Sequence, residues 1–379
     1  MRALPLIAVV GLAAPFLGAA FAGEHEAVEQ HVMIYHEEDH YGGWPANHGI
    51  WAWDNEILVG FGRGHYKDLG DRHHLDRDLP EQHWLARSTD GGETWTLSDP
   101  SGQGVFVPQG GPLLAQPVPG LEIPPAKEFE GRIDFAHPDF AFATRMYSTV
   151  DGETQFFYSY DRGRTWEGPY RLPLDIPMSA RTNYIVNGPD DCMVFLTGDG
   201  APGEDNGTHA FMARTRDGGQ TWTVESWISS GVRGIMPSAA RVSENEIFAA
   251  ARRRDGDRAW ISGHVSEDDG QTWTEVEDPA DDLGVGNPPM VLRLRDGRLC
   301  ITYGDRRHYR IAARISEDGG RSWGPEIILR DGGGNHDLGY TRTVQRADGK
   351  AVTIYYFWDE ETGPERHIAA TIWDPEAIE

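Results

Sequence analysis

Cysteine is scarce in this chain of 379 residues: only Cys192 and Cys300. Two cysteines cannot build the framework of a small disulfide-stapled domain. Both sit in apolar, strand-like runs that belong to different repeats, so two buried thiols are expected rather than a bridge. Positive charge is also short. Lys and Arg total 34 against 60 Asp and Glu, a formal charge of −26. That balance excludes a nucleic-acid phosphate partner and keeps the surface soluble. An anionic ligand would have to be met by a local cluster of arginines. No long hydrophobic run follows the first 22 residues, so no later segment reads as a membrane span. Clean zinc spacings are missing, and the Asp-Gly turns lack the bidentate Glu of a calcium loop, so neither a metal nor a cofactor is expected.

The sequence is instead rich in Gly (46), Pro (24) and Trp (13), with 11% aromatic residues. That mixture suits many short strands joined by tight turns. At the N-terminus Arg2 precedes an apolar run from Ala3 to Ala20, and Ala20-Phe21-Ala22 before Gly23 is a small-x-small cleavage box. Residues 1–22 therefore read as a secretory signal peptide and 23–379 as one domain, exported to the periplasm or beyond and not held in a membrane after cleavage.

An internal repeat organises that domain. Ser/Thr-x-Asp-x-Gly-x-Thr/Ser-Trp recurs at Ser88–Trp95, Ser159–Trp166, Thr215–Trp222, Ser266–Trp273 and Ser316–Trp323. The chemistry is that of a hairpin clasp. Hydroxyl and carboxylate oxygens accept turn N–H groups, Gly takes a conformation other residues resist, and Trp covers the turn. Between the clasps, a turn followed by an apolar strand recurs at residues 55–59, 138–142, 191–195, 245–249, 296–300 and 348–352. Six strand motifs and five clasps predict an all-β, six-bladed propeller of four-stranded sheets. The extended segment Val32-Met33-Ile34-Tyr35 has no sheet of its own and is expected to pair into the last blade, closing the ring. Insertions at 64–82 and 100–129 are long enough to be functional loops.

Five clasps in register with six strands resemble the Asp-box repeats of the sialidase (neuraminidase) superfamily, over nearly the whole chain after residue 22. The resemblance implies a propeller whose clasps face away from the active site. It also implies an exo-acting, retaining glycoside hydrolase that releases terminal acidic sugars, working on a glycan as a monomer. In that family three arginines hold the sugar carboxylate, a Tyr paired with a Glu is the nucleophile, and an Asp is the acid/base. Gly339-Tyr340-Thr341 is similar to the nucleophile segment. Ile247–Arg252 looks like the strand ending in the second arginine. Arg306, Arg307 or Arg310 would supply the third. Asp76, in the insertion before the first clasp, stands where the family carries its acid/base, with Asp68, Asp71 and Asp78 competing. The stretch corresponding to the family's Arg-Ile-Pro is Trp44–Ile50, without arginine, and blade four opens on Gly234-Ile235-Met236-Pro237, without a carboxylate.

Blade one adds its own polar cluster of His48, Arg63, His65, His73, His74, Asp76 and Arg77. Of these, Arg63, His74 and Arg77 are expected to contact substrate. Arg132 and Asp134 open blade two, and Arg181 and Asn183 open blade three, where inner strands face the channel. Arg181 is read as a substrate contact. Two other readings stand beside hydrolysis of acidic sugars. One is hydrolysis or elimination on another glycan, uronic or sulfated. The other is a binding platform without chemistry, since fold does not fix function.

Overall fold

The computed structural model describes residues 23–110, 115–146, 154–201 and 207–378. The proposed leader, residues 1–22, lies outside them. The described chain folds into six antiparallel sheets arranged as the blades of a propeller. The apolar strands foreseen from the repeats become the second strand of five blades, Glu56–His65, Cys192–Asp199, Ile247–Asp255, Leu299–Asp305 and Ala351–Phe357, and the edge strand of blade two, Ala141–Met146. Their side chains are buried almost without interruption. That follows from a strand packed between neighbouring blades on both faces. Cys192 and Cys300 sit in two of these strands as buried free thiols.

Ring closure follows the expected route. Val28–Tyr35 is the outer strand of blade six and pairs antiparallel with His367–Trp373, with Val28 opposite Trp373 and Val32 opposite Ala370. The closed ring leaves few free sheet edges. Among the described residues blade two departs from the four-stranded expectation and shows three strands, Ala141–Met146, Thr154–Ser159 and Glu167–Arg171. The segment that would supply its inner strand is spent on blade three. Ile133 N–H donates to Gly218 O at 2.8 Å and Phe135 N–H to Pro189 O at 2.8 Å. Arg132 goes with it, donating to Asp190 at 2.6 Å on an exposed surface, so it does not line the channel.

All five clasps form as the motif requires. The Ser/Thr hydroxyl accepts the N–H of the following Gly at 2.8–2.9 Å. The Asp carboxylate accepts the Thr/Ser N–H at 2.8–2.9 Å. Register places the clasps away from the site described below. In blade four the clasp starts at Ser266, opposite Ile247 at one end of the sheet, while Arg252 and Arg253 lie at the other end. Trp222 is buried and its indole donates to Gly219 O. Trp222→Ala is expected to lower unfolding free energy by about 3–5 kcal/mol in denaturant titrations, with no change in ligand binding at the far face.

Candidate active site

Three residues on the inner segments of blades one, four and six lie in the left-handed region: Trp44 (φ 56°) just after the strand His40–Gly43, Met236 (φ 55°) within Gly234–Arg241 and Tyr340 (φ 52°) within Gly339–Gln345. Side-chain-bearing residues adopt this conformation at a cost of order 1–3 kcal/mol each unless the surroundings enforce it. For Tyr340 the enforcer is Asn287, which is fully buried. Its amide oxygen accepts Tyr340 N–H at 2.8 Å and its amide nitrogen donates to Leu338 O at 2.9 Å. Gly339 precedes at φ +102°, and a Cβ there would fall 2.4 Å from the Asn287 amide. The Gly-Tyr pair is thus a backbone device that turns the phenol toward the channel.

Tyr340 lines a cleft of about 250 Å³ at the mouth of the ring, opposite the clasps. Blade one supplies Trp44, His73, Glu81 and His83, and blade three supplies Arg181. The insertion after the first clasp supplies a wall from Phe106 to Gly110 and Ala115. That wall is tied to blade one where Glu81 N–H donates to Gln116 O at 3.0 Å and Gln116 N–H to Leu79 O at 3.1 Å.

Three guanidinium groups surround the phenol. Arg252 Nη1 lies 3.5 Å from the Tyr340 hydroxyl, and the Arg306 guanidinium carbon lies 5.5 Å from the ring centre. Arg181 is held by Asn47 Oδ1 at 2.7 Å and Ser179 Oγ at 3.2 Å. Burial pushes the phenol up, but Arg252, Arg306 and Arg181 together outweigh it and leave Tyr340 below its ordinary value. None of the three arginines makes an ion pair with a carboxylate among the described residues. Their other contacts are neutral. Arg252 donates to Val285 O at 2.9 Å, and Arg306 to Leu338 O at 3.1 Å and Tyr356 OH at 2.7 Å. Arg306 feels the buried Asp337 carboxylate through Tyr356, but Arg181 and Arg252 have no carboxylate bonded to them among the described residues. Positive charge taken out of water without a partner is costly, so the cleft is electrostatically prepared for an anion.

Two acids stand near this cluster. Glu81 is buried, and burial pushes its carboxyl up to about 7 against the opposing pull of Arg77. Asp337 is fully buried behind His73. Its Oδ1 lies 2.5 Å from His73 Nδ1, and its Oδ2 accepts Arg366 Nε at 3.1 Å. Among the described residues no group of three or more His, Cys, Asp and Glu is placed to hold a metal.

The sequence-predicted residues divide sharply. Tyr340, Arg181 and Arg77 line the cleft, and Arg252 reaches the phenol. Of the three alternatives for the remaining arginine, Arg306 faces the phenol. Arg307 turns outward to pair with Asp282 at 2.7 Å, and Arg310 is bound to Asp305 at 2.9 Å and to Glu326. Arg63 is locked to Glu37 and Gln82, and stacks on Trp84. Asp76 accepts from Lys67 at 3.1 Å and from Asp78 N–H, and is not among the cleft-lining groups. His74 stacks on Tyr66 and bonds Gly70 O at 3.0 Å, also away from the cleft. Sequence reasoning did not single out Glu81, Asp337 or Arg145, whose guanidinium caps His48 O at 2.7 Å beneath the cleft. The one local signal for Glu81 was its place in the same insertion as Asp76.

Comparison with known proteins agrees with this architecture. Residues 141–354 match the family described as BNR repeat-like domain, and residues 86–97 match a BNR/Asp-box repeat. No curated protein matches the sequence significantly. Among solved structures, a Dyadobacter fermentans protein of unknown function superposes with a TM-score of 0.64 at 22% identity, covering 92% of this chain and 98% of that one. A Hadza microbial sialidase gives 0.58 at 16% identity, covering 93% and 70%. An alpha-L-arabinofuranosidase from Fusarium graminearum gives 0.57 at 12% identity, covering 93% and 99%.

Proposed function

The chain belongs to the BNR repeat-like domain family, a sialidase-like propeller, and we propose that it is a glycoside hydrolase that removes terminal acidic sugars from glycans. The observation that carries this reading is the phenol of Tyr340 set among Arg181, Arg252 and Arg306, with no carboxylate paired to them among the described residues. Guanidinium groups hold a sugar carboxylate through charge-assisted, often paired bonds. A tyrosine can then serve as nucleophile where a carboxylate would be repelled by the substrate. Tyr340 attacks the anomeric carbon as the bond to the leaving oxygen breaks, and Glu81 gives that oxygen its proton. Water then attacks the tyrosyl-linked carbon while Glu81 takes up the water's proton and Tyr340 departs. A phenol whose pKa is already lowered is a better leaving group in that second step. The leader read at residues 1–22 would deliver the protein to where such glycans are met.

The test is release of the aglycone from an aryl sialoside and, in parallel, an aryl glucuronide, across pH 4–8. Turnover of either supports the reading. Arg252→Met is then expected to reduce kcat/KM about 100-fold, mainly through KM, from the loss of about 3 kcal/mol of charge-assisted binding. Folded protein that binds acidic sugars but turns none over would make the cleft a recognition platform.

A further inference from the structure

Tyr340 must lose its own proton to act as a nucleophile, and no carboxylate among the described residues is bonded to its hydroxyl. The stretch that opens blade four offers Gly234, Ile235, Met236 and Pro237. We propose that His73, held by the buried carboxylate of Asp337, is the base that takes this proton; the assignment rests on the reading of Tyr340 as nucleophile.

His73 and Tyr340 line the same cleft. His73 stands edge-on to Trp44, with ring centres 5.6 Å apart, and its side chain is 31% exposed, whereas Asp337 is wholly buried. A carboxylate only accepts, so the 2.5 Å contact puts the imidazole proton on Nδ1 and leaves the lone pair on Nε2. Asp337 cannot turn away. Its Oδ1 also accepts Tyr356 OH at 2.8 Å and Tyr41 OH at 3.4 Å. Its Oδ2 accepts Arg366 Nε at 3.1 Å and His74 N–H at 3.2 Å. Burial would raise this carboxyl, but His73, Arg366 and Arg306 hold it far below the usual carboxylate range, so it stays ionised. The remaining titratable neighbour is His336, which burial and then Arg306 push below its ordinary value, against the pull of Asp337 and Asp71.

The same carboxylate organises the nucleophile's side. Arg306 donates to Tyr356 OH at 2.7 Å, Tyr356 donates to Asp337, and Arg306 lies over the Tyr340 ring. One buried anion therefore positions both the base and an arginine of the phenol. The other cleft imidazoles do not suit the task. His48 is buried and pushed well below its ordinary value, and His83 is pushed to about 3. Glu81, pushed up to about 7 by burial, keeps its proton through the acidic range and is a donor at this stage. In the step itself the Tyr340 O–H bond breaks and the proton passes to His73 Nε2 through cleft water. The phenolic electron pair forms the bond to the anomeric carbon as the bond to the leaving oxygen breaks. The imidazolium charge rests against Asp337 and returns its proton to water or to the departing phenolate.

The experiment is the pH profile of kcat/KM on an aryl sialoside for wild type, His73→Gln and Asp337→Asn. It is joined to a nitrogen NMR measurement, without substrate, of which His73 ring nitrogen carries the proton. His73→Gln, which leaves the Asp337 web with Arg366 and Tyr356 intact, is expected to lose about 100-fold in kcat/KM and its acid limb. Asp337→Asn weakens the acceptor that fixes the ring proton on Nδ1, so the Nε2–H tautomer is expected to gain and kcat/KM to fall about tenfold. Added imidazole is expected to restore part of the activity of His73→Ala. Should wild type turn over while His73→Gln keeps its acid limb, or should the tautomer stay put in Asp337→Asn, the base assignment alone is overturned. No turnover by folded wild type overturns the hydrolase reading and the base assignment together.

Discussion

Tyr340→Phe is expected to fold like the wild type and to lose about 10⁴-fold or more in turnover, the scale seen when a covalent nucleophile is removed. The ring keeps its place against Tyr356, with centres 5.9 Å apart, and its position under Arg306. The left-handed backbone is set by Asn287 and is indifferent to the hydroxyl. Only the oxygen is lost. Affinity for an acidic sugar should stay within a few-fold in calorimetry, because the arginines still hold the carboxylate. Activity within tenfold of wild type would show that Tyr340 packs and polarises but does not attack.

Glu81→Gln is expected to give an enzyme that is slower yet more stable. Turnover should fall about 1000-fold, as for loss of a positioned acid. Stability changes in a pH-dependent way. The folded carboxyl titrates at about 7, against 4.5 without burial. The folded state therefore keeps a proton that the unfolded chain gives up between those values. Wild type loses stability as pH rises through that window, in full above pH 7, by about 3 kcal/mol. The amide has no proton to lose. In urea titrations the variant should match wild type near pH 4 and exceed it by about 3 kcal/mol at pH 8. This is the stability–activity conflict expected of a strained catalytic group. Equal stabilities at both pH values would place Glu81 in contact with water.

The two halves of the molecule were legible to different degrees. A clasp is written in eight consecutive residues whose bonds are local, such as Ser88 Oγ to Gly92 N–H and Asp90 to Thr94 N–H, so the sequence displays it whole. Blade count and the closing strand follow from that periodicity. The cleft is assembled from strand ends of separate blades, and its selection rules are not local. Arg306, Arg307 and Arg310 differ little as letters. Asp282, Asp305 and Glu326 claim the latter two and leave Arg306 to the phenol. Asp76 and Glu81 share one insertion, yet Lys67 holds the first on the surface while Ala115 and its loop bury the second. Arg63 and His74 had the right chemistry in the right blade, and near neighbours satisfied them. The inner edge of blade two was misjudged because backbone groups near Ile133 pair with the adjacent clasp, a tertiary choice without a sequence signature.

The strand that completes blade six has a mechanical consequence. Val28 lies opposite Trp373, so the first and last strands of the described residues meet at one edge of one sheet. Tension applied between them would load that ladder as a zipper, one pair at a time, and not in shear. Blade six would peel first, and its innermost strand carries Tyr340. The molecule would be disarmed by a pull that leaves its other five blades folded.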